Sequence, residues 1–149
     1  MRGLFRRILA AHDFSRHADR ALVAALAIAR RHGATVTVLH VASPIALPAG
    51  FPPVVTYRPP SAAARAEVAK RLDRRVRRLN RRVQATVRIA VGDAYDRIVA
   101  AGRRHDLVVI GTQGLTGVPH LVIGSVAEKV VRHATVPVLT VRAASRRRR

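Results

Sequence analysis

The sequence predicts a single three-layer, doubly wound α/β domain built on a five-stranded parallel sheet. Three observations carry that prediction. The chain has 149 residues, a size at which one core buries about 68–70% of the unfolded surface. Short, β-branched apolar runs alternate with longer stretches whose apolar residues recur every three to four positions. Each run is separated from the next by a segment of helix length, which forces crossover connections and therefore parallel pairing with both faces of the sheet covered. Hydrophobic residues make up 49% and aromatic residues 3%, so the core is expected to consist mainly of Ala, Val, Leu and Ile.

The elements follow in order. Ile8 to Ala11 is a short apolar run closed by polar residues, the first strand. Ser15 stands as a helix cap before a stripe at Ala18, Ala21, Leu22, Ala25, Leu26 and Ala29, and Gly33 stops that helix. Ala34 to Ala42 suits a buried second strand. Between Ser43 and Pro60 lie six of the eight prolines. Proline lacks the amide donor and restricts the residue before it, so a long irregular connection is expected there, of the kind that forms lids or binding loops. Ser61 caps a second helix reaching about Arg82, with Ala69, Leu72, Val76, Leu79 and Val83 turned inward. The run VQATVRIAVG is the third strand. Asp93 caps a third helix whose inner face is Ile98, Val99 and Tyr95. Asp106 to Gly111 is the fourth strand, Ser125 opens the fourth helix, and Val136 to Val141 is the fifth strand. Residues 1–142 form the domain and 143–149 a basic tail expected to be unstructured.

Charge and composition narrow the functional classes. There are 28 basic against 8 acidic residues, a net charge of +20, and all the basic residues but Lys70 and Lys129 are arginine. That imbalance makes an anionic partner credible. No run approaches the roughly 20 apolar residues of a membrane span, and the N-terminal stretch lacks the apolar core of a secretory signal, so the cytoplasm is the expected compartment. The absence of cysteine excludes disulfides and thiolate metal sites.

Glycines 111, 114, 117 and 124 sit between the fourth strand and the fourth helix. Glycine weakens regular structure, so a cluster needs a backbone reason: unusual dihedrals, or something pressed against the main chain. In open α/β sheets ligands bind beyond the carboxyl ends of the strands, where the strand order reverses. Bare amides and a helix N-terminus at that place attract an anion such as phosphate. The Ser125 hydroxyl is expected to cap its helix when no ligand is present and to donate to a phosphate when one is. The plainer alternative is a tight turn and a cap. Asp13, just past the first strand, is placed either to accept from ribose hydroxyls or an adenine amino group, or to cap the first helix. Val41 offers backbone groups to a base edge, or serves as core.

With these residues in view the sequence resembles the universal stress protein family, in its ATP-binding branch. The resemblance runs from ILAAHDFSRHADRAL through VTVLHV to DLVVIGTQGLTG and VIGSVAEKVVRHATVPVLTV. The family's signature is Gly, two residues, Gly, nine residues, Gly, then Ser or Thr, and Gly111, Gly114, Gly124 and Ser125 fit it without a gap. The resemblance implies a flavodoxin-like domain with strand order 3-2-1-4-5 and a switch point between strands one and four. It implies that Asp13 and Val41 hold the ribose and adenine ends, that Gly111 approaches the sugar, and that Gly114, Gly124, Ser125 and Val126 cradle phosphates. It further implies an ATP- or AMP-binding stress-response regulator that forms a homodimer through the fifth strand, Val136 to Val141. Residues 43–60, the Arg-rich second helix and the terminal arginines lie outside any family signature.

Two other functional classes compete with that reading. A slow ATP hydrolase or phosphotransferase needs positioned metal ligands and a group orienting the nucleophile. No Gly-rich loop ending in Lys-Ser/Thr is present, and only Asp13 and Glu128 are acidic near the site; His120 in the glycine loop is a surface histidine or a γ-phosphate contact. The seven histidines show no metal-ligand spacing, so any Mg²⁺ is expected to ride on the nucleotide phosphates. The third class is a nucleic-acid or acidic-lipid binder. Nine basic residues fall between Arg65 and Arg82, mostly opposite the apolar stripe. Without aromatic residues to stack on bases, that ridge reads first as a solvated face.

Overall fold

Apolar periodicity decides which side of the sheet each helix covers, and the computed structural model describes the result for residues 3–49, 54–79, 82–113 and 123–143. The strands are β1 (Arg7–Ala11), β2 (Thr35–Ala42), β3 (Ile45–Ala49), β4 (Val54–Arg58), β5 (Ala85–Val91), β6 (Leu107–Gly111) and β7 (Val138–Val141). The helices are α1 (Arg16–His32), α2 (Ala62–Leu79), α3 (Ala94–Gly102) and α4 (Ser125–His133). Five strands form one sheet in the order β5-β2-β1-β6-β7, with every neighbouring pair parallel. Counted among those five strands, the order is the expected 3-2-1-4-5. The layering is flavodoxin-like, although flavodoxin's own order is 2-1-3-4-5; here the reversal falls between β1 and β6. Among the described residues no helix is long and apolar enough to cross a membrane.

Strand alternation divides the core. Ile8, Ala10, Val36, Val38, Leu107 and Val109 face α1 and α2, while Leu9, Ala11, Leu39, Val108 and Ile110 face α3 and α4. The α1 stripe is buried at all six positions read from its spacing. The Ala18 N–H donates to the Ser15 hydroxyl at 3.1 Å, and Gly33, at φ 65°, closes the helix by donating to the Ala29 carbonyl. This is the left-handed stop at which glycine escapes a Cβ penalty. The Asp93 carboxylate accepts from the Asp96 N–H at 3.0 Å and caps α3.

Three expectations are corrected. The proline-rich connection is not irregular throughout: β3 and β4 pair antiparallel as a separate two-stranded ribbon, with Pro48 opposite Val55. Both strands of such a ribbon are edges, so one side of each needs no partner and a proline is tolerated. The run Val54, Val55, Thr56, Tyr57 supplies the strand propensity that the prolines mask. In α2 the buried residues are Leu72 and Val76, whereas Leu79 is 45% exposed. The helix ends there, and Val83 packs on the core from beyond it. The last strand begins at Val138 rather than Val136, although the Pro137 carbonyl already accepts from the Val108 N–H at 3.0 Å.

Leu72→Ala is therefore expected to lower the unfolding free energy by about 2–5 kcal/mol, and Leu79→Ala by no more than about 0.5 kcal/mol. Urea titration followed by circular dichroism measures both, and equal losses would contradict this assignment of the buried face.

Candidate functional site

The carboxyl ends of β1, β2 and β6 meet at the strand reversal, and local chemistry shapes each exit. After β1 the chain turns sharply: Phe14 takes a left-handed φ of 67°, uncommon for a side chain of that size. The Phe14 N–H donates to His12 Nδ1 at 3.1 Å, and the Ser15 N–H donates to Asp13 Oδ1 at 2.9 Å. Asp13 thus braces the turn while Ser15 caps α1. Asp13 is partly exposed, and its Oδ2 makes no hydrogen bond with the described residues.

Backbone alternation positions Val41. The Leu39 carbonyl accepts from the His12 N–H at 2.8 Å, so Leu39 turns toward β1, while the Ala42 carbonyl accepts from Gly92 on the β5 side. Val41, two residues after Leu39, points its N–H and C=O toward β1 at a level where β1 has already ended. The His40 Nδ1–H donates to the His12 carbonyl at 2.8 Å.

Gly111 answers the glycine question in part. A Cβ there would lie 2.7 Å from the His17 carbonyl carbon and 2.9 Å from the Ala18 nitrogen. These are backbone atoms of α1 that cannot step aside, so the residue is glycine because helix and strand touch. The same contact brings His17 beside Thr112 and the end of the chain's last strand. His17 Nδ1 accepts from the Thr112 hydroxyl at 3.2 Å and from the Ala143 N–H at 3.1 Å.

From Thr112 the geometry passes to α4. The Gly124 N–H donates to the Thr112 carbonyl, which holds the start of α4 at the mouth of the crevice. Gly124 is the N-cap residue, with an extended backbone and no side-chain cap bond. The expectation that Ser125 caps this helix is therefore corrected: Ser125 is the first helical residue, and its side chain is exposed. The Gly124 amide is engaged within the protein. The amides of Ser125, Val126 and Ala127 lack intrahelical acceptors, as the first turn of any helix does, and among the described residues no side chain takes their place. Gly114, Gly117 and His120 lie outside the described residues.

The crevice's outer wall holds a network that the sequence did not reveal. His12 is buried, and its Nε2–H donates to Asp19 Oδ1 at 3.0 Å, where Arg75 of α2 also donates at 2.8 Å. Phe14 packs edge-on against His12, tilts against His40, and carries the Arg71 guanidinium 4.3 Å above its ring. Burial holds the His12 imidazole below its ordinary pKa, against the opposing pull of Asp19. None of these pairings has a spacing signature in the sequence.

A doubly wound parallel sheet whose strand order reverses between β1 and β6 defines the class, an α/β domain of flavodoxin-like layering. The Universal stress protein family matches residues 4–142, and the chain belongs to that family. It is 35% identical over 141 residues to the "Universal stress protein in QAH/OAS sulfhydrylase 3'region" of Thermus aquaticus, covering 93% of this chain and 100% of that one. A universal stress protein solved in complex with cAMP superimposes with a TM-score of 0.69 at 20% identity, covering 95% of this chain and 100% of that one. The universal stress protein from Archaeoglobus fulgidus in complex with dAMP gives 0.62 at 24% identity, with 93% and 98% covered.

His12 makes stability depend on pH. The unfolded imidazole titrates near 6.5 and the folded one below it, so the contribution is complete above about pH 6.5 and is lost as pH falls toward the folded pKa. Between pH 6.5 and 5.5 wild type is expected to lose more unfolding free energy than His12→Gln, by up to about 1.4 kcal/mol per unit. Parallel profiles in urea titrations would exclude a neutral buried His12.

Proposed function

We propose that this protein binds an adenine nucleotide at the β1/β6 reversal and serves as a stress-response regulator in the cytoplasm, with ATP or AMP as ligand. The observation that carries the reading is the first turn of α4, whose amides find no acceptor among the described residues, held at the strand reversal by the bond from Gly124 to Thr112. Three peptide N–H groups and the positive end of a helix dipole suit a phosphate, and the exposed Ser125 hydroxyl adds a donor. The fit extends to the other end of a nucleotide. Val41 offers an amide and a carbonyl to a base edge, and the outward Asp13 oxygen accepts from ribose hydroxyls. Gly111 shapes the cleft through its contact with α1, while Gly114 completes the phosphate loop by family resemblance. The cAMP and dAMP complexes of family members support an adenine nucleotide over other anions. Mg²⁺, where bound, would be held through the phosphates.

We also propose a homodimer through β7. That strand is the edge of the sheet; Leu139 on it and Val131 on α4 are exposed at 37% and 48%. An unpaired apolar edge is an association hazard unless covered. Leu139→Glu is expected to convert a dimer to a monomer in sedimentation velocity, and a monomeric wild type would remove the proposal.

Ser125→Pro tests the phosphate site without dismantling the helix. Proline is favoured at the first helical position, and extended Gly124 already has the backbone that a following proline demands. The substitution deletes one amide and the hydroxyl, whereas Ser125→Ala deletes the hydroxyl alone. By calorimetry ATP affinity is expected to fall about 10- to 100-fold in Ser125→Pro, less in Ser125→Ala, with adenosine affinity unchanged in both. Equal ATP affinity in wild type and Ser125→Pro would contradict the assignment.

A further inference from the structure

The charge of this chain is unevenly divided between the two helical layers. α1 and α2, which cover one face of the sheet, carry eleven basic side chains against three acidic ones. α3 and α4, on the other face, carry three against two. The three acids of the basic layer are already occupied: Asp19 pairs with Arg75, Glu67 with Arg74 and Asp73 with Arg77. Among the described residues the other eight cations of this layer make no ion pair; Arg20, Arg30, Arg31, Arg65, Lys70 and Arg78 are among them, all exposed. So concentrated an excess repels itself and weakens the folded state, and only an external anion relieves it.

From this arrangement we propose that the α1/α2 face binds the phosphate backbone of duplex nucleic acid, independently of base sequence and separately from the crevice. Four features choose that partner. Seven of the eight unpaired cations are arginine, whose fork engages phosphate oxygens two at a time. The exposed large apolar residues of this layer, Val23 and Leu79, line a groove of about 340 Å³ between α1 and the end of α2. They do not crown the helices, so the face offers no apolar crest to enter a bilayer. Among the described side chains no aromatic one is fully exposed to stack on unpaired bases. A duplex needs none, because its phosphates face outward. Finally, α2 is about 27 Å long, which matches roughly eight base pairs at 3.4 Å each.

The test measures binding of a fluorescent 20-base-pair DNA duplex by anisotropy from about 50 to 300 mM salt, using the full chain with its terminal arginines. One variant carries Arg31→Gln, Arg65→Gln, Lys70→Gln and Arg78→Gln. A control removes the same charge from α4 and the turn after α3 with Arg103→Gln, Arg104→Gln, Lys129→Gln and Arg132→Gln. The face variant is expected to bind at least about tenfold more weakly at 100 mM salt. Its log–log salt slope should be shallower by about 3–4, while the control stays within about threefold of wild type. Single Lys70→Gln and Arg78→Gln substitutions, each shifting the slope by about 0.9, keep the test open if the fourfold variant fails to fold. Equal losses in both variants would assign binding to overall charge or the tail and overturn the proposal. So would no loss in either, or capture by vesicles containing anionic lipid with the duplex left unbound.

Discussion

The contact of α1 with the carboxyl end of β6 at Gly111 is the constraint on which the rest of the site hangs. Because no Cβ intervenes, the first turn of α1 lies directly on the strand. That closeness brings His17 within reach of Thr112 and of Ala143, 126 residues away in sequence. Thr112, so fixed, offers its carbonyl to Gly124 and sets where α4 begins. The first-turn amides of α4 are thus positioned by a chain of bonds that starts from one missing methyl group. A larger residue at 111 would push α1 outward and let the whole sequence of contacts slip.

Histidines perform much of the polar work in this molecule. His12 ties the exit of β1 to α1 and α2 through Asp19. His105 joins the end of α3 to β2, donating to the Ala101 carbonyl at 2.8 Å and meeting the Thr37 hydroxyl at 3.0 Å. With only 8 acidic residues against 28 basic ones, carboxylates are too scarce to satisfy every buried donor. An imidazole, with a nitrogen on each side of its ring, bridges two such groups at once.

Much of the fold was legible because its signals are local. The α1 stripe, the Ser15 and Asp93 caps, the Gly33 stop and the central strands all follow from periodicity and capping chemistry. The ribbon of β3 and β4 was obscured because proline is read as a breaker, yet its effect depends on whether a strand has one neighbour or two. Leu79 continued the α2 spacing but fell where the helix leaves the sheet, which periodicity alone does not register. In the site, Gly111 and Gly124 were located by their spacing, while their separate tasks, close packing and a bond to Thr112, depend on tertiary contacts. His12, His17 and Phe14 were passed over for the same reason.

The most direct test of the account is an amide proton–nitrogen spectrum of the labelled protein titrated with ADP. The account predicts that the largest shifts fall on Ser125, Val126 and Ala127, with a second group at Asp13 and Val41. Shifts confined to α2, with the first turn of α4 unmoved, would contradict it.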